Sequence, residues 1–143
     1  MTIEYRLLGL EDISVLDAVA VDVFDHPLVP EQTARFLADP SHIIAVAIDD
    51  GTVIGMGTAN EYLHPDKPVQ FWVQEMGVAP SHQRRGIGSR LLEMLLDVAR
   101  QRGHAEAWLG TENDNVPARA LYRSLGGEEE PFVMYTFKLG SER

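Results

Sequence analysis

The 143-residue chain contains no cysteine. That absence removes any disulfide framework, thiol nucleophile or thiolate zinc site. Positive charge is scarce as well: 12 Lys and Arg stand against 22 Asp and Glu, a formal net charge of −10. Nucleic-acid phosphates repel such a chain, so general nucleic-acid binding is not expected and a cationic partner is favoured. No apolar run approaches the roughly 18 residues of a membrane span. The first residues, MTIEYRLLGLEDI, lack the basic-then-apolar order of a secretion signal. A cytoplasmic protein that does not enter membranes is the expectation. The five histidines (His26, His42, His64, His82, His104) are scattered, without the close pair of a helical metal site, so no metal is expected. Repeats, low-complexity tracts and Pro/Gly/Ser linkers are missing too, which predicts one domain over residues 1–143.

What is present is periodic. Residues 3–8 read as a short strand, and residues 11–23 as a helix with Ile13, Leu16, Val19, Ala20 and Val23 on one side. Asp25-His26-Pro27 breaks it, and Pro30 opens a second helix that Asp39-Pro40 stops. Residues 42–48 form an apolar strand, Asp50-Gly51 a hairpin turn, and residues 53–62 the partner, weakened or bent at Gly55 and Gly57. Residues 70–78 follow as a strand on which Phe71, Val73 and Glu75 share a face. The strongest helix spans residues 87–102, with Ile87, Leu91, Met94, Leu95 and Val98 as its stripe and Gly103 as its stop. A short buried strand follows at residues 105–109. Asn115 caps a last helix that Gly126 ends, and the alternation over residues 132–139 predicts a closing strand.

Residues 75–90, EMGVAPSHQRRGIGSR, carry the chemistry. A strand ends at Pro80-Ser81, and Gln83-Arg84-Arg85-Gly86-Ile87-Gly88 opens the strongest helix. Glycines there let the backbone approach a bulky anion, which meets unpaired N–H groups and the positive end of the helix dipole. Arg84 and Arg85, with Arg90 nearby, add cationic side chains. The loop is suited to a pyrophosphate. It is not a nucleotide P-loop, because Ser89-Arg90 follows Gly88 where Lys and Ser or Thr are needed. Nor is it a dinucleotide fingerprint, because Leu91 fills the place of the third glycine.

The pattern Gln83-x-x-Gly86-x-Gly88, with Met76-x-Val78 just before it, resembles the GNAT superfamily of acyl-CoA-dependent N-acetyltransferases. Asn115-x-x-Ala118-x-x-Leu121-Tyr122-x-x-Leu125-Gly126 resembles the same superfamily's downstream element. Gly127 departs from it, since an aromatic residue is common there, and that puts the packing after the helix in question. The order β-α-α-β-β-β-α-β-α-β also matches, so the resemblance covers essentially the whole chain. Its implied fold is α/β, a mixed, mainly antiparallel sheet with helices on both faces and a splayed central strand pair.

The resemblance implies acetyl-CoA as co-substrate and direct transfer to an amine. Met76, Gly77 and Val78 would line the pantetheine, and residues Gln83, Arg84, Arg85, Gly86, Ile87, Gly88 and Ser89 would hold the pyrophosphate. Asn115 would contact the pantetheine or orient the site. Glu75 is the expected base and Tyr122 the expected acid for the departing thiolate. Residues 71–125 look most like aminoglycoside 3-N-acetyltransferases, which implies a small cationic acceptor such as an amino sugar or polyamine. Glu112 and Asp114, with Glu61 or Asp25, would line its site. Protein lysines and N-termini stay open as acceptors. So do a non-enzymatic acyl-CoA-binding module and a domain that needs a partner chain. A homodimer is implied by the resemblance alone.

Overall fold

The computed structural model describes residues 2–140. Among them five strands form one sheet in the order β1-β2-β3-β4-β5: Glu4–Leu7, His42–Asp49, Thr52–Tyr62, Gln70–Val78 and Ala107–Leu109. The first four run antiparallel, and β5 lies parallel to β4. The α-helices are α1 (Pro30–Ala38), α2 (Ile87–Gln101) and α3 (Val116–Ser124). Asp50 and Gly51, at φ 50° and 79°, make the two-residue β2–β3 turn that an Asp-Gly pair favours.

α2 sits on one face of the sheet, and two glycines set how closely. A Cβ on Gly55 would lie 3.1 Å from Ile87 Cγ2, and one on Gly57 3.0 Å from Leu95 Cδ1. Gly55 and Gly57 therefore leave β3 continuous and admit the helix, whose Ile87, Leu91, Leu92, Leu95, Val98 and Ala99 are buried. The opposite face is met by the chain around Val23. A Cβ on Gly77 would fall 2.2 Å from the Val23 carbonyl oxygen, a contact only glycine permits.

Two expected elements change type, and the strand expected to be buried at residues 105–109 is the three-residue β5, half-buried with Trp108 exposed. The helix expected over residues 11–23 is a 3-10 helix at Leu10–Asp17, after which the backbone extends and pairs with the start of β3. Ala20 N–H donates to Val53 O, and Val53 N–H to Ala18 O, so edge hydrogen bonds replace helical ones. The closing strand expected over residues 132–139 does not form. Phe132 rests on Gly110, whose added Cβ would lie 3.3 Å from the ring, but Val133, Met134, Tyr135, Phe137 and Leu139 are exposed. Glu129 bonds Arg119 and Arg123, tying the start of that segment to α3 and not to the sheet. β5 offers only three residues as a template. Alternation supplies a face; without a paired edge it does not make a strand.

Candidate active site

The site begins where β4 ends. Pro80–His82 makes one 3-10 turn, and the chain then passes through Arg84 (φ 64°) and Gly86 (φ 77°) into α2. The left-handed conformation at Gly86 is one that glycine adopts without steric cost. Arg90 N–H makes the first bond of the helix, to Gly86 O, and no side chain caps the turn before it. The amides of Ile87, Gly88 and Ser89 therefore precede the helical ladder, at the positive end of its dipole. Arg84 and Arg85 are exposed beside them. Arg90 turns away, its guanidinium 5.6 Å from the centre of the Tyr5 ring.

Two side chains hold this loop in place. Gln83 Nε2 donates to the Val78 carbonyl at 3.1 Å, which ties the loop back to the strand. His82 Nε2 lies 2.7 Å from Asp49 Oδ2, and its Nδ1 2.7 Å from Ser81 Oγ. The second link pins the turn to the β2–β3 hairpin. Sequence reasoning missed it, because it joins residues 33 apart with no motif between them.

Beside the loop, β4 and β5 part. They pair only at Phe71–Ala107, Trp72–Trp108 and Val73–Leu109, so β4 runs on to Val78 with no β5 partner. The backbone of Met76, Gly77 and Val78 borders this opening. A β-bulge lies at the same level: Glu75 pairs with Thr58, and Val73 with the next residue, Ala59, which leaves Gln74 as the extra residue. Met76 pairs with Gly57 and so faces α2, as Phe71 and Val73 do, whereas Glu75 and Gly77 face the opposite side. The expected shared face of Phe71, Val73 and Glu75 is thus corrected. A bulge inserts one residue and shifts the alternation, re-aiming the side chain that follows. Glu75 emerges exposed, on the face met by Val23.

α3 borders the site from the other side. Asn115 Oδ1 accepts the Ala118 N–H at 3.2 Å, so its carbonyl oxygen serves as the helix cap. Leu121 comes within reach of Gly88, where an added Cβ would lie 3.8 Å from Leu121 Cδ1. The next residue, Tyr122, is half-buried, and burial pushes its hydroxyl pKa above the ordinary tyrosine value. Gly126 ends the helix at φ 91°, with Gly127 N–H bonded to Tyr122 O and Gly126 N–H to Arg123 O. A Cβ on Gly127 would lie 2.9 Å from that Tyr122 oxygen. The family's aromatic residue is replaced here by one that the tight turn accepts.

The expected acidic residues separate into two groups. Glu61 pairs with Phe71 on the α2 side, 2.6 Å from both Arg102 Nη1 and His104 Nε2. Burial works to raise its pKa, but the bonds from His104 and Arg102 outweigh burial and hold it below the usual carboxylate value. Glu61 is therefore occupied in tying β3 to the end of α2, away from the face of Glu75. Glu112 and Asp114 are exposed in the loop between β5 and α3, just past the splay. Asp25 is exposed two residues beyond Val23. No cluster of three or more His, Asp or Glu suited to a metal occurs among the described residues. No helix among them is long and apolar enough to cross a membrane.

The sequence profile of the Acetyltransferase (GNAT) family matches residues 10–126. The chain belongs to that family. It is 39% identical over 104 residues to the N-alpha-acetyltransferase RimI of Mycobacterium tuberculosis, covering 73% of this chain and 63% of that one. It is 38% identical over 93 residues to the mycothiol acetyltransferase of Clavibacter sepedonicus, covering 65% and 29%. The chain thus matches less than two thirds of the length of either relative. Among solved structures, an aminoglycoside acetyltransferase from an uncultured soil metagenomic sample superimposes with a TM-score of 0.80, at 18% identity, covering 96% of this chain and 97% of that one. The aminoglycoside enzyme AAC(6′)-Iy, complexed with a CoA-linked bisubstrate analogue, also gives 0.80 at 18% identity, covering 98% and 100%. At that identity the likeness establishes the GNAT fold and no more. The expected aminoglycoside 3-N-acetyltransferase branch is not singled out, since the relatives include RimI and 6′-N-acetyltransferases.

Proposed function

We propose that this chain transfers the acetyl group of acetyl-CoA directly to a primary amine on a cationic acceptor. The observation that carries this reading is the uncapped first turn of α2, lying at the end of a strand that has just lost its neighbour. The amides of residues 83–88, with Arg84 and Arg85, would hold the pyrophosphate. The backbone of Met76 to Val78, which β5 leaves without a strand partner, would pair with the amide-bearing pantetheine as though with another strand, apart from the Val78 carbonyl that Gln83 holds. That arrangement aims the thioester into the opening, next to the bulge. With no cysteine in the chain, the amine attacks the thioester carbonyl without an intermediate on a protein thiol. Glu75, directly or through water, removes the ammonium proton, and Tyr122 protonates the departing thiolate.

The acceptor meets Glu75 on the side away from α2, with Glu112, Asp114 and Asp25 as the nearby exposed carboxylates of this reading. Those groups and the net charge of −10 favour a small polyamine or amino sugar. The identity to RimI favours a second acceptor, a protein N-terminus. Thiol release from acetyl-CoA, measured against a panel of polyamines, amino sugars, N-terminal peptides and amino acids, separates these acceptors. Release with none of them would leave a binding module.

Cofactor binding is tested separately at Gly88. An added Cβ there would make only ordinary contacts, 3.8 Å to Leu121 and 3.9 Å to Val78, so the protein itself does not demand glycine. Gly88→Val should raise the Kd of acetyl-CoA at least tenfold, about 1.4 kcal/mol, with a melting temperature near the parent's. Gly86→Val is the poorer variant, because φ 77° strains any side chain there. Unchanged affinity in folded Gly88→Val places the pyrophosphate elsewhere.

A further inference from the structure

We propose that Trp72 and Trp108 form the platform on which the acceptor lies, and that it accepts by its face an amine carried on a saturated ring. The inference rests on the acetyl-transfer reading above and specifies the acceptor of that site. Trp72 pairs with Asn60 and Glu75 with Thr58, so both project from the face opposite α2. Gln74 joins them through the bulge, its Nε2 donating to Asn60 Oδ1 at 2.7 Å. Trp72 and Trp108 are partners across the parallel β4–β5 pair, with ring centres 5.1 Å apart. The two indoles thus stand at the foot of the splay. Three residues at ~3.3 Å each place Trp72 about 10 Å from Glu75, within the length of one or two sugar rings.

The hydrogen bonds leave the ring faces as the available surface. Trp72 Nε1 donates to Gln70 Oε1 at 3.2 Å, and that oxygen lies 3.0 Å from His64 Nε2. His64 in turn stacks on Tyr62 at 5.0 Å between ring centres. The polar edge of Trp72 is satisfied in this way. Trp108 is 40% exposed. An indole face is apolar and carries negative quadrupolar charge. It attracts a flat array of C–H groups, more so when a neighbouring ammonium polarises them. The amides of Gln70 and Gln74 offer hydrogen bonds at the rim, as ring hydroxyls require. A linear polyamine matches the acidic charge but presents no such face.

The experiment compares neamine, an amino sugar with two rings, with spermine, a linear amine of similar charge. In Trp108→Ala, kcat/KM for neamine should fall at least ~10-fold relative to that for spermine, mostly through KM. Trp108→Phe, which keeps a flat ring, should recover part of the loss. The Kd of acetyl-CoA reports that each variant is folded. Trp72 and Trp108 are the only two tryptophans in the chain, so selectively excited tryptophan fluorescence reports on the platform. Neamine should change that fluorescence saturably in the parent. An equal fall for both amines, or no fluorescence change with neamine, overturns the platform. Saturable binding of neamine without thiol release from any amine instead overturns the transfer reading and leaves the platform standing.

Discussion

Tyr122→Phe is expected to lower kcat about 10²-fold while leaving the Kd of acetyl-CoA close to the parent's. The substitution keeps the ring that packs at the edge of the core and removes only the proton. Burial raises the Tyr122 pKa, so the hydroxyl keeps that proton through neutral pH and is ready to donate it. The sign fixes the pH profile. A raised pKa places the loss of the acid above the ordinary tyrosine value of about 10. The parent should therefore lose turnover on that alkaline side, and Tyr122→Phe should lack this limb. A thiolate is a fair leaving group, so residual activity is expected in the variant. Equal turnover in the two proteins makes Tyr122 a packing residue.

The elements legible in the sequence are those governed by neighbours along the chain. The α2 stripe was readable from its 3.6-residue period, and Gly103 and Gly126 from the left-handed backbone that helix ends require. The loop at Gly86 was readable for the same reason. Each is settled within one or two helical turns. The face of Glu75 was not readable, because it depends on which residue of β4 lies opposite Thr58. A single extra residue, Gln74, reverses the alternation, and nothing in β4 alone announces it.

The same distinction separates the carboxylates. Glu61 and Glu75 look alike in sequence, each a glutamate in a half-apolar strand. Glu61 is held by Arg102 and His104, which are 41 and 43 residues away, and Glu75 is exposed on the other face. Only the register of three strands and the end of α2 tell them apart. Residues 132–139 fail in a further way. Their alternation is genuine, but a strand is a property of a pair, and their partner edge in β5 is three residues long.

Glu75→Gln is expected to depress kcat ~10²-fold at neutral pH and progressively less as the pH rises. The bulge motivates this, since it aims the carboxylate away from α2 at the level where β4 and β5 part. A substrate ammonium with a pKa near 10 must lose a proton before it attacks. Below that pH a base is needed, and glutamine cannot accept the proton. Near and above it the amine is already neutral, so parent and variant should converge. Replacing Glu112 or Asp114 should act differently, raising the acceptor's KM with little change in kcat, because binding charges act on ground and transition states alike. Added salt should weaken acceptor binding in the parent as well, since these carboxylates are exposed and their attraction is screened. If the Glu75→Gln deficit stays constant from neutral pH to pH ~10, proton removal is not its role. The carboxylate would then be a contact for the acceptor, and another group would have to take the ammonium proton.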